Sequence, residues 1–147
     1  MGKKKIITSA LPYPNGPLHL GHIAWVYLPA DIYFRYCKAL GEKVIHVCGT
    51  DDHGVALELA SEKYGKPVSE LVGEYRESYK KGMEKMGIEF SIFHGTDTPQ
   101  HEEVVHDFFR KLYHQNLLEE RIIKQMYCNT DNKFLPDRYI IGTCPKC

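Results

Sequence analysis

His19 and His22 lie three residues apart with Gly21 between them, directly after residues 11–17, a run holding three prolines and an Asn-Gly pair. That run reads as a loop, and the apolar spacing after it reads as a helix. Two imidazoles one turn apart at a helix start sit where unpaired N–H groups and the positive dipole end favour phosphate. From there they can donate to a polyphosphate whose charge shifts during transfer. Gly21 has no side chain to hold a flat nucleotide base off the backbone. An isolated His-x-x-His pair is equally a surface pair or half a metal site. The loop before it and the helix after it are what favour phosphate. A second polar cluster is Asp51-Asp52-His53, within residues 49–54. As local structure it is a turn that caps the next helix through Asp52 or His53.

These residues need elements to position them. Residues 4–9 form a short β-prone run before the first loop, and residues 43–48 form a second before the Asp51 loop. Helical patterns cover about residues 19–40, with Pro29 expected to kink or split the helix, then 55–64 and 68–86. Residues 90–93 read as a third strand, and Thr98-Pro99 opens a further helix to about Asn116. Alternating strands and helices predict a doubly wound, Rossmann-like α/β sheet, with ligands in the crevice at the carboxyl ends of the strands. Both unusual loops follow strands. After Leu117 the character changes to short β-prone runs at 121–127 and 138–141, so we divide the chain at 1–117 and 118–147.

The composition is that of a globular protein, with 43% hydrophobic and 26% charged residues and no net charge over 147 residues. The whole chain is therefore no electrostatic magnet for nucleic acid. No apolar run is long enough for a membrane span, and Ile6 stands where a myristoylation motif wants Ser or Thr, so a cytoplasmic location is expected. The five cysteines, an odd number with no export signal, read as thiols or metal ligands. Cys37 and Cys48 fall in a helix and a strand and read as packing. His101, His106 and His114 read as helix surface.

Residues 10–22, ALPYPNGPLHLGH, resemble the HIGH segment of class I aminoacyl-tRNA synthetases, with Leu20 in place of Ile. Residues 49–54, GTDDHG, resemble the GTDEHG block of methionyl-tRNA synthetases, where leucyl, isoleucyl and valyl relatives usually carry Gly-Trp-Asp. Residues 134–147 resemble the entry to that family's zinc-bearing connective insert. The resemblance implies ATP-dependent activation of L-methionine to methionyl-adenylate and transfer to tRNA(Met), with ATP carried as its Mg2+ complex. It gives His19 and His22 the ATP phosphates and Gly21 close packing on adenine. Leu11 and Tyr13 would line the methionine side-chain pocket, and Asp51 would pair with the α-ammonium.

For zinc it leaves two readings. Cys128, Asp131, Cys144 and Cys147 form one site, or Cys144 and Cys147 await cysteines elsewhere; we favour the second, since Asp is a rare partner in sulfur-rich sites. A third reading is that the pair binds no metal in this chain. A KMSKS loop and an anticodon-binding domain have no counterpart in the sequence. The chain is therefore expected to be an amino-terminal piece that works with the remainder of a synthetase. Rival readings are a related nucleotidyltransferase that uses no tRNA, and a catalytically dead binding module.

Overall fold

The computed structural model describes residues 4–135. Within them, three parallel strands form one sheet: β1 (Lys4–Thr8), β2 (Lys43–Thr50) and β3 (Ile92–Gly95), in the order β1-β2-β3. The register runs from Lys4 opposite Lys43 to Thr8 opposite Val47, and from Val47 opposite Ile92 to Thr50 opposite Gly95. Parallel strands require crossovers, and helices supply them. The expected α/β class and parallel sheet are both present.

Between β1 and β2 the chain is helical from α1 (Leu20–His22) through a π-helical turn (Ile23–Tyr27) into α2 (Leu28–Ala39). The expected disturbance at Pro29 thus takes the form of a widened turn just before it. Proline has no N–H to offer the carbonyl one turn back, and its ring crowds that carbonyl. The π turn relieves the conflict by bonding the Leu28 N–H to Ile23 instead. Gly41, at φ 72°, then turns the chain into β2.

Helix α3 (Val55–Tyr64) and helix α4 (Val68–Lys85) link β2 to β3. Tyr79 and Met83 of α4 pack with Ile23, Tyr27, Cys48 and Ile88 to form the core. A fully buried side chain of that size contributes about 1.5–3 kcal/mol through removal from water. The third strand begins two residues later than the sequence pattern suggests. Ser91 explains the delay: its N–H donates to the His46 carbonyl at 2.8 Å, while its hydroxyl accepts from the His46 N–H at 3.1 Å. That side-chain bond replaces a ladder bond, so pairing proper starts at Ile92. His46 itself is fully buried, with Nδ1–H donating to the Glu89 carbonyl at 2.8 Å and Nε2 meeting Ser9 Oγ at 2.9 Å.

The chain divides into two compact units at Glu103 and Val104. The boundary lies inside helix α5 (Pro99–His114), which buries none of its residues. In the second unit, strands β4 (Tyr127–Cys128) and β5 (Lys133–Phe134) form an antiparallel pair. Tyr127 and Phe134 meet edge to face there, with ring centroids 5.0 Å apart. Most of the β-prone run at 121–127 is therefore not strand, and the run at 138–141 lies outside the described residues.

Candidate active site

Two loops leave the carboxyl ends of adjacent parallel strands, and each carries one set of the predicted residues. The first loop ends in a reciprocal cap. His19 Nδ1 accepts from the Gly21 N–H at 3.1 Å, and His22 Nδ1 accepts from the His19 N–H at 3.2 Å. The two rings lie 3.8 Å apart and tilted by 31°. Because a backbone N–H can only donate, both Nδ1 atoms are acceptors, and each ring carries its proton on Nε2. The cap therefore leaves two Nε2–H donors side by side at the start of a helix. A Cβ at Gly21 would come to 3.0 Å from the His19 ring, which would have to give by a few tenths of an ångström.

The loop before this cap is held from beneath. Pro12 and Pro14 are buried, and the Tyr79 hydroxyl on α4 donates to the Tyr13 carbonyl at 3.1 Å and to the Gly16 carbonyl. Burial pushes the Tyr79 hydroxyl up to about 12, although the Gly16 carbonyl bond pulls the other way. Cys48 Sγ points at the Ala10 carbonyl 3.7 Å away, and burial pushes its thiol up to about 11. Cys37 and Cys48 are both buried, as a packing role requires.

The second loop is stitched to the first. The Asp51 N–H donates to the Pro12 carbonyl at 3.0 Å, which sets the Asp51 backbone against Pro12. The Tyr13 hydroxyl donates to the His53 carbonyl at 2.8 Å. Gly54 makes this contact possible, since a Cβ there would meet the Tyr13 hydroxyl and its φ of 119° suits glycine alone. Leu11 and Asp51 are exposed and Tyr13 is half-buried. Two bonds thus join the segment holding Leu11 and Tyr13 to the loop holding Asp51.

Asp52 and His53 do not cap α3 as expected. The cap residue is Gly54, with no side-chain bond to the helix. His53 Nε2 instead meets the Thr96 carbonyl at 3.3 Å. The Asp52 side chain is fully buried, and its Oδ2 accepts from Arg76 Nη2 at 2.7 Å and from the Asp97 N–H at 3.2 Å. Arg76 also donates from Nε to Thr50 Oγ1 at 2.9 Å and from Nη2 to Asp97 Oδ1 at 2.6 Å. Partial burial raises the Asp97 carboxyl, but Arg76's hydrogen bond and charge outweigh it, holding the group below the ordinary value. Arg76, Thr50, Thr96 and Asp97 escaped the sequence reading. One signal for Arg76 was available: with Val72, Tyr79 and Met83 it occupies the buried stripe of α4, where a cation needs a partner.

In the second unit, Cys128 Sγ and Asp131 Oδ2 approach to 3.5 Å across the β4–β5 turn. Cys144 and Cys147 lie outside the described residues, among which no three metal-ligating side chains gather. Also among the described residues, no helix is long and apolar enough to cross a membrane.

A family model described as "tRNA synthetases class I (M)" matches residues 5–147. The chain belongs to the class I (M) tRNA synthetase family. Among curated relatives of this synthetase chain, the methionine–tRNA ligase of Chlamydia abortus is 46% identical over 147 residues. That match covers 100% of this chain and 27% of the relative. The methionine–tRNA ligase of Pyrococcus abyssi is 45% identical over 142 residues, covering 97% of the chain and 20% of the relative. The chain thus spans about a quarter of the length of the curated relatives it matches. A leucyl-tRNA synthetase from Agrobacterium radiobacter K84, solved with tRNA and LeuAMS, superposes with a TM-score of 0.79 at 26% identity. It covers 95% of this chain and 18% of that one. Methionyl-tRNA synthetase from Mycobacterium tuberculosis, solved with methionyl-adenylate, has the same fold, with a TM-score of 0.79 at 24% identity over 95% of this chain and 27% of that one.

Proposed function

We propose that this synthetase chain carries the ATP- and amino-acid-binding half of a methionine-activating site. The site makes methionyl-adenylate from methionine and ATP, and the longer protein transfers the methionyl group to tRNA(Met). The observation that carries this reading is the reciprocal His19–His22 cap, with its paired Nε2–H donors, beside a loop whose exposed Asp51 carboxylate has no partner among the described residues. An oxygen of the methionine carboxylate forms a bond to the α-phosphorus. The bond from that phosphorus to the bridging oxygen breaks, and pyrophosphate leaves with the electron pair. His19 and His22 donate to the phosphate oxygens as their charge shifts, and Gly21 leaves the backbone open to adenine. Asp51 takes the α-ammonium in a charge-assisted contact.

Leu11 and Tyr13 line the thioether pocket in this reading, since an unbranched polarisable chain suits aliphatic and aromatic walls. Mg2+ would arrive with ATP and offset part of the phosphate charge. Zinc has no part in the chemistry; Cys144 and Cys147, with Cys128 or with ligands elsewhere in the longer protein, would serve the connective insert. The KMSKS loop, the anticodon-binding surface and most of the tRNA contact are assigned to the remainder of the synthetase. Alone, the chain is expected to charge tRNA little or not at all.

The test is amino-acid-dependent ATP–pyrophosphate exchange by the full-length synthetase and by this chain, with methionine, leucine, isoleucine and valine. Exchange with methionine alone is expected of the full-length protein. Exchange with leucine would overturn the assignment of Leu11, Tyr13 and Asp51.

A further inference from the structure

The Asp51 loop contains a second carboxylate whose position the proposed chemistry does not explain. Asp52 follows the residue assigned to the substrate ammonium, and its side chain is wholly buried with Oδ1 unpaired among the described residues. Asp97 meets the same point from the end of β3. Left to themselves, three carboxylates in this neighbourhood would repel one another and compete for any cation that approached. A single guanidinium settles the matter. Arg76 bonds to Asp52 and to Asp97 through Nη2 and to Thr50 through Nε, and its own side chain is only 24% exposed. The planar fork of arginine suits three such acceptors at once, while a lysine ammonium offers one point of charge.

The backbone is shaped to receive this guanidinium. Gly95 lies beside it, and a Cβ there would collide with both the guanidinium and Asp52 Oδ2. Thr96 completes the enclosure by accepting the Asp52 N–H on its hydroxyl at 2.9 Å. The contacts reach the strand residue before Asp51, the residue after it, and the neighbouring loop.

Resting on the function proposed above, we infer that Arg76 is a positioning residue for methionine recognition. It neutralises Asp52 and Asp97 and anchors Thr50 and Asp52 on either side of Asp51. Asp51 is thereby left as the exposed, unneutralised carboxylate of its loop, in a fixed place for one α-ammonium. Arg76 acts through Asp51 and does not touch substrate.

The consequence is selective. Misplacement of an anchoring group by about 1 Å costs binding or rate by up to about a hundredfold. The His19–His22 cap has no bond to Arg76, so the loss should fall on methionine and spare ATP. In the full-length synthetase, Arg76→Gln is expected to raise the KM for methionine about tenfold or more. The KM for ATP and kcat should stay within about twofold. Arg76→Lys should recover part of the loss, and Gly95→Ala should reproduce it with every charge in place. Lys81→Gln, which removes only an exposed pair with Glu77 on the same helix, is the control.

An unchanged methionine KM in Arg76→Gln, with normal wild-type exchange, overturns the inference alone. So does an equal loss for ATP and methionine, which would mark general loosening. If Arg76→Gln fails to fold, Gly95→Ala and Arg76→Lys decide by the same KM split. Wild-type protein with no methionine-dependent exchange would sink the proposed function, and this inference with it.

Discussion

The two loops of the site are built by opposite means. The loop after β1 is held by neutral donors: the Tyr79 hydroxyl beneath Tyr13 and Gly16, and the Cys48 thiol beneath Ala10. The loop after β2 is held by charge, with Arg76 set between Asp52 and Asp97. Each choice suits what its loop presents. Phosphate is drawn to donors, and a carboxylate beneath the His19–His22 cap would repel it. An ammonium is drawn to a carboxylate, and Asp51 can serve alone once its acidic neighbours are neutralised. Helix α4 braces both loops from one face, since Arg76 and Tyr79 lie three residues apart along it.

If the loops are functionally separate, damage to one should not imitate damage to the other. The largest effect is expected at the phosphate side. His19→Ala in the full-length synthetase should lower the rate of methionine-dependent exchange by about 100- to 1,000-fold, the usual consequence of losing one transition-state donor. Its methionine affinity should hardly change. Asp51→Ala should abolish measurable methionine binding and leave ATP binding near normal. Calorimetric titration of each variant with each ligand reads the contrast directly. A shared loss of both ligands in either variant would break it.

A smaller effect isolates the neutral brace. Tyr79→Phe keeps the ring in the core and removes only the hydroxyl, leaving the Tyr13 and Gly16 carbonyls without that donor. The Tyr13 carbonyl keeps the Asn15 N–H, and Tyr13 and Gly16 are only half-buried, so the loss is that of an ordinary hydrogen bond, about 0.5–1.5 kcal/mol. The denaturation midpoint should fall accordingly. Amide exchange should quicken at Asn15, whose N–H donates to the Tyr13 carbonyl at 2.9 Å. The Asp97 amide, bonded to Asp52 in the other loop, should keep its protection. Equal deprotection at both positions would mean that α4 carries the two loops as a single body.

What sequence could reveal about these loops follows the same division. Prolines and glycines punctuate the first loop locally, and its histidines cap a helix only three residues long before the π turn, so their pairing is a near-neighbour matter. The parallel sheet was legible because strand and helix patterns alternate along the chain. Asp52 was misread as a cap because its partners are remote: Arg76 is 24 residues away. Nothing near Asp52 in the sequence says that it will be buried. The clue lay in α4, where Arg76 interrupts an otherwise apolar stripe. The π turn was half legible, since Pro29 announced a disturbance but only packing decided its form.

The smallest effect is also the most specific, because neutral and charged braces fail at opposite ends of the pH scale. Burial raises Cys48 from 9.0 to about 11 and Tyr79 from 10.0 to about 12. In both cases the unfolded chain ionises first. Their contribution is complete below the unfolded values and declines as pH rises towards the folded ones. Asp97 behaves in the reverse sense. Its folded value is lowered, so its contribution is present above the ordinary carboxylate value and is lost as pH falls through the folded one. Alkali should therefore speed opening at Asn15 more than base-catalysed exchange alone predicts, and acid below the ordinary carboxylate value of 3.8 should act at Asp97. Cys48→Ala should flatten the alkaline slope of stability and leave the acid slope alone, while Asp97→Asn should do the converse. Parallel slopes in both variants would show that one brace governs both loops.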